Sequence, residues 1–78
     1  MMKATMIQYV MQIKASIRGE WVDGKFEEYK DDREAAYKAG EYETEFNADC
    51  GQTDKNSPEW IAIRAVRKDI LNKKRGKK

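Results

Sequence analysis

The sequence predicts an α+β domain: a small three-stranded antiparallel or mixed sheet, element order β-β-α-β-α, with the C-terminal helix packed on the sheet. Three observations predict it. A period-two apolar run extends from Ile7 to Ile17, a capping-box pattern followed by alanines at helical spacing starts at Asp31, and Ser57-Pro58 opens a second stretch of helical periodicity.

In chain order, Ile7, Tyr9, Met11, Ile13, Ala15 and Ile17 alternate with Gln8, Gln12, Lys14 and Ser16, the period of a half-buried strand. Asp23-Gly24 supplies the residue types of a two-residue hairpin turn, which predicts a returning strand over 25–30. Regular register sets Trp21 opposite Phe26 and Lys30 opposite Ile17, turning a lysine toward the core. A one-residue bulge near Gly19 repairs that face by setting Tyr29 opposite Ile17, and turns Trp21 and Phe26 to the other side.

Asp31 reads as an N-cap with Glu34 completing the capping box, and Gly40 as a left-handed stop, which predicts a helix over 32–39. Ala35, Ala36 and Ala39 share one side of it, small enough for close approach to a sheet. Alternation then resumes, predicting a third strand over 42–48 with Tyr42, Thr44, Phe46 and Ala48 on one face and Glu41, Glu43 and Glu45 on the other. After a polar segment, Ser57 as cap and Pro58 at the first helical position predict a helix over 58–73. Ile63, Val66 and Ile70 form its inner stripe; Trp60, Arg64, Arg67, Leu71 and Arg75 lie on an adjoining one. Residues 1–73 are expected to be one domain and 74–78 a disordered basic tail.

Composition narrows the chemistry. With 78 residues and 38% of them charged, the chain has little apolar side-chain volume beyond what its core needs. The absence of histidine excludes imidazole acid–base catalysis, Ser-His-Asp and Cys-His units and His-ligated metal sites. Cys50 is the sole cysteine, so no intramolecular disulfide closes, and the reducing cytoplasm is the expected setting. No run approaches the roughly 20 apolar residues that span a bilayer. Adjacent carboxylates such as Glu27-Glu28 point to opposite strand faces and make no acid/base couple, so no catalytic residue, cofactor or metal site is expected and the chain is expected not to be an enzyme.

The net charge of +2 conceals three blocks: +3 over residues 1–19, −7 over 20–49 and +6 over 50–78. Three surfaces follow. The glutamate row Glu41, Glu43 and Glu45, spaced about 6.6 Å apart on a strand, suits a basic protein partner, or is simply a solvated sheet face. Trp21 and Phe26, flanking the hairpin tip, are aromatic anchors for the same partner, or core. The basic residues Arg64, Arg67, Lys68, Lys73, Lys74 and Arg75, with Trp60 as a stacking surface, suit nucleic-acid phosphates, or form a solubilising helix and tail.

No family motif is satisfied. The hairpin, its aromatics and the run Asp31-Asp32-Arg33-Glu34-Ala35-Ala36-Tyr37-Lys38-Ala39 resemble the three-stranded DNA-binding domains of plant transcription factors and phage integrases, in which an Ala-rich helix follows the sheet. The resemblance covers residues 9–39 and departs from those domains at Lys25-Phe26-Glu27-Glu28-Tyr29-Lys30, which lacks their basic second strand. In size and in its mixture of Lys and Glu the chain also looks like small phage accessory proteins that inhibit a host or defence complex. The leading expectation is a non-enzymatic protein that acts through protein contacts as such a regulator or inhibitor; the alternative is a small nucleic-acid-binding protein. A homodimer through an outer strand is left open.

Overall fold

The computed structural model describes residues 6–16 and 18–75, Arg75 by its backbone alone. Its elements are β1 (Ile7–Lys14), β2 (Val22–Tyr29), α1 (Asp32–Asp49), β3 (Ala62–Arg67) and α2 (Lys68–Arg75). The β-β-α-β-α order is the predicted one, and the three strands form an antiparallel sheet with β1 in the middle, β2-β1-β3. Three of the predicted spans are corrected.

The residues expected as a third strand, 42–48, belong to α1. Its start is as predicted: Asp31 Oδ1 accepts from the Glu34 N–H at 2.9 Å and Glu34 Oε1 from the Lys30 N–H at 2.8 Å. Gly40 does not stop it, because extending a nucleated helix adds one hydrogen bond per residue fixed, and Ala35, Ala39, Tyr42 and Phe46 already keep helical spacing. The stop is Gly51, at φ 77°, whose N–H bonds Ala48 C=O at 3.1 Å while the Gln52 N–H reaches Asn47 C=O at 2.7 Å. That pair of bonds is a Schellman motif.

The residues expected as a long second helix instead supply β3 and the short α2. Ser57 does cap, accepting from the Glu59 N–H at 3.2 Å, but only one turn forms, closed by the Trp60 N–H on Ser57 C=O at 3.1 Å. Beyond it the β-branched Ile63 and Val66 pair along the open edge of β1, with Ile63 opposite Ile13 and Val66 opposite Val10. The helix resumes at Lys68 and reaches Arg75, two residues into the segment expected to be a tail; residues 76–78 lie outside the described residues.

The third correction is the hairpin. Asp23-Gly24 is not its turn; the connection spans the residues between Lys14 and Val22, with the Gly19 N–H on Ser16 C=O at 2.9 Å. Asp23 and Gly24 lie inside β2, where Val10 pairs with Phe26 but Gln12 pairs with Asp23, so the bulge sits around Gly24 and Lys25 and not near Gly19. Glycine is required there: a Cβ on residue 24 would lie 2.6 Å from the Met11 carbonyl oxygen. Ile17, whose pairing the sequence addressed, lies outside the described residues.

The core is Tyr9, Met11, Tyr29, Ala35, Ala39 and Ile63. The rings of Tyr9 and Tyr29 pack at 5.9 Å between centroids with a 55° tilt, under the small Ala35 and Ala39 that let α1 approach. The Cα extents are 46 × 34 × 16 Å, the dimensions of one sheet and one helix layer. α1 therefore covers one face of the sheet; α2 follows β3 directly and touches β1 and β3, with Lys68 reaching over Phe26 on the other face.

Candidate contact surface

The face away from α1 is built by alternation. Because Tyr9, Met11 and Ile13 look toward the core, Gln8, Val10, Gln12 and Lys14 look the other way, and antiparallel partners share a face. Two rows cross the three strands. One is apolar, Phe26–Val10–Val66, and the other polar, Asp23–Gln12–Arg64. Val10, flanked by Phe26 and Val66, has 0% exposure, while Phe26 remains 56% exposed.

The polar row is a continuous chain of hydrogen bonds. Gln12 Nε2–H donates to Asp23 Oδ1 at 3.0 Å and Gln12 Oε1 accepts from Arg64 Nε–H at 2.9 Å. Buried between its two neighbours, Gln12 orients the guanidinium, which stacks over Trp21 with its central carbon 4.0 Å from the ring centroid. Lys14 Nζ lies 5.3 Å from the same ring, and Lys68 Nζ lies 5.2 Å from the ring of Phe26. Glu28 joins this face through Gln8 Nε2–H, at 3.4 Å. The face thus presents two aromatic rings, three cations and two carboxylates on a rigid strand frame.

The covered side holds a second polar group, centred on Glu27. Its carboxylate accepts from the hydroxyls of Tyr29 and of Tyr42, the latter at 2.8 Å to Oε2, and pairs with Lys25 Nζ at 3.1 Å. Burial pushes the Glu27 carboxyl up, but the hydrogen bonds from Tyr29, Tyr42 and Lys25 outweigh it and hold it below the ordinary glutamate value. Burial raises Tyr29, with donation to Glu27 adding to it; burial and donation to Asp32 Oδ1 at 2.6 Å push Tyr9 up to about 12. This arrangement fastens β2 to α1 and keeps the phenol protons of Tyr9 and Tyr29 in place.

The predicted glutamate row does not exist as a row. On α1, Glu41 and Glu45 are exposed, one turn apart, and Glu41 pairs with Lys38 at 3.3 Å. Glu43 turns to β3, where Oε1 accepts from the Ile63 N–H at 3.0 Å and Oε2 from Trp60 Nε1–H at 2.6 Å. Trp60 is therefore half-buried against α1 and is no stacking platform on a basic helix. The basic set is divided as well: Arg64 stands on the open sheet face, Lys68 beside Phe26, Lys73 and Lys74 exposed on α2, and Arg67 is held by Asp69 through two bonds, at 3.0 and 3.2 Å. Trp21 and Phe26 do share the face away from the core, as the bulged register required, although the bulge lies elsewhere. Sequence reasoning missed Gln12, Lys14 and Val10 as parts of this face; their signal is their place at the even positions of the first strand.

A cleft of about 330 Å³ between α1 and the sheet is lined by Met11, Ile13, Ile63, Tyr42 and Phe46, with Lys25 and Glu45 at its rim. Among the described residues no three acidic or thiol groups converge to hold a metal ion, and no helix is long and apolar enough to cross a membrane. No protein-family model, curated protein or solved structure matches this chain.

Proposed function

We propose that this chain is a small non-enzymatic binding protein that engages a protein partner through the open face of its sheet, with Trp21, Phe26 and Arg64 as anchors. The observation that carries the reading is the Arg64 guanidinium, held by Gln12 and stacked 4.0 Å over Trp21 before any partner arrives. Trp and Arg dominate binding hot spots, and side chains already fixed in one geometry lose less freedom on association. The face mixes Lys14, Arg64 and Lys68 with Asp23 and Glu28, a pattern suited to the mixed charges of a protein surface more than to the single sign of a phosphate backbone. The role is that of an accessory regulator or inhibitor, and Cys50, exposed and lacking a disulfide partner, fits a reducing cytoplasmic setting.

A second reading is favoured by one specific observation, the three cations gathered around two rings, which suits stacked bases and phosphates. One experiment separates them. Co-purification should recover a stoichiometric protein partner that is lost with Trp21→Ala plus Arg64→Ala and retained with Glu41→Lys plus Glu45→Lys. Micromolar binding of DNA or RNA oligonucleotides that weakens between 50 and 200 mM salt, by roughly 40-fold for three phosphate contacts on a duplex, would favour the second reading.

A further inference from the structure

The sheet has two outer edges, and side chains of α1 hydrogen-bond to the backbone at the start of only one of them. Just before β3, Asn47 stands in for a neighbouring strand: its Nδ2–H donates to Ile61 C=O at 2.8 Å and its Oδ1 accepts from the Ile61 N–H at 2.9 Å. Glu43 takes the next outward N–H, that of Ile63, at 3.0 Å. Along β2, no group outside the β1 ladder hydrogen-bonds to the backbone of residues 25–29 among the described residues. An unfinished edge is a template for another strand.

We propose that β2 pairs antiparallel with β2 of a second copy about a two-fold axis through Phe26, joining two three-stranded sheets into one of six. Symmetry and charge select that register. A two-fold perpendicular to the sheet keeps each face on its own side, so it must set one residue opposite its own copy; offsets that place an open-face residue against a core-face residue are forbidden. Lys25, Glu27 or Glu28 on the axis would each oppose like charges, Gly24 falls in the bulge, and Tyr29 is the last residue of β2, so an axis there would pair little of the strand. With Phe26 on the axis, Lys25 of each copy faces Glu27 of the other, two opposite-charge pairs flank the centre, and the two exposed Phe26 rings meet on the open face. Lys25 and Glu27 already point to one side of the strand, where they pair at 3.1 Å within a chain.

The bulge at Gly24 and Lys25 shortens the regular edge, so the contact is smaller than the about 1,600 Å² of a standard interface and the dimer is weak, with dissociation on the order of 100 μM. The inference shares Phe26 with the open-face reading but does not rest on it: Trp21→Ala and Arg64→Ala remove two of that reading's anchors and leave this edge intact.

Sedimentation equilibrium on the full chain from about 10 μM to about 1 mM tests it, with the apparent mass expected to rise from 9.1 kDa toward twice that value. Phe26→Lys, at a side chain more exposed than buried, should weaken the dimer at least tenfold with an unchanged circular dichroism spectrum. A second test needs no equilibrium. In a Cys50→Ser background, Phe26→Cys should form a disulfide-linked dimer on mild oxidation, because Cα atoms opposed across an antiparallel pair lie about 4.5–5.5 Å apart. Lys25→Cys and Glu28→Cys, opposite other residues, should cross-link at least tenfold more slowly. A monomer throughout the concentration range, a dimer indifferent to Phe26→Lys, or equal cross-linking at 25, 26 and 28 would overturn the proposal.

Discussion

On β1 the odd residues Tyr9 and Met11 are sealed under α1, whereas the even residues Val10 and Gln12 are equally buried on the face away from α1. The first face is closed by alanines that admit a helix and by a carboxylate that collects tyrosine hydroxyls. The second is closed by its own strands, through Phe26 and Val66 beside Val10 and through Asp23 and Arg64 beside Gln12. The difference is one of accessibility. A face sealed by a helix stabilises the fold and offers little to a partner, while a face sealed by neighbouring strands leaves its tallest side chains, Trp21, Phe26 and Arg64, standing above it.

If this contrast is right, substitutions on the covered side unfold the protein and those on the open side spare it. The largest effect is expected at Asn47, which is fully buried and makes both bonds to Ile61 as well as one to Glu43 C=O at 2.7 Å. Asn47→Ala leaves buried backbone groups unpaired and should cost about 2–4 kcal/mol by urea denaturation. Next is Gly24→Ala, whose Cβ would meet backbone at 2.6 Å. It should lose about 1–3 kcal/mol, whereas Gly40→Ala, with nothing within 4 Å of its Cβ, should gain about 0.5–1 kcal/mol.

The covered face also carries a pH signature. The folded value of Tyr9, raised from 10.0 to about 12, favours the protonated phenol, so its contribution is complete below pH 10 and is lost as pH rises from 10 to 12. Alkaline unfolding in that window, with Tyr9→Phe flattening the slope, is the expected result of a fluorescence-monitored titration. Glu27 runs the other way. Held below its ordinary value, it stabilises the fold above pH 4.5 and ceases to do so as pH falls through its lowered folded value. The smallest effects belong to the open face and to the outer side of α1: Arg64→Ala should cost about 1 kcal/mol, and Glu41→Lys with Glu45→Lys about 0.5 kcal/mol or less.

Much of the architecture could be read from the residues, including its class, its order, the first strand and the α1 start at Asp31. What could not be read had two competing local solutions. Residues 42–48 satisfy both a period of two and helical spacing, and the running helix decides between them. Residues 61–67 satisfy both as well, and there the free edge of β1 decides, a partner more than 45 residues away that no local pattern contains. Asp-Gly at 23–24 signals a turn by residue type, yet its glycine serves a close approach between strands. Trp21 and Phe26 reach the face away from the core in the sequence reading only through a bulge near Gly19; the structure puts them there through the bulge at Gly24 and Lys25 instead. The pairing of Gln12 with Arg64, 52 residues apart, was not legible, since nothing in either segment points to the other.

The central claim, that contact is made by the open sheet face, is tested most directly by site-specific photo-cross-linking in the producing cell. A benzophenone side chain in place of Trp21 should yield a discrete protein adduct, and the same group in place of Tyr37, exposed on the far side of α1, should not. Adducts at 37 and none at 21 would contradict the account.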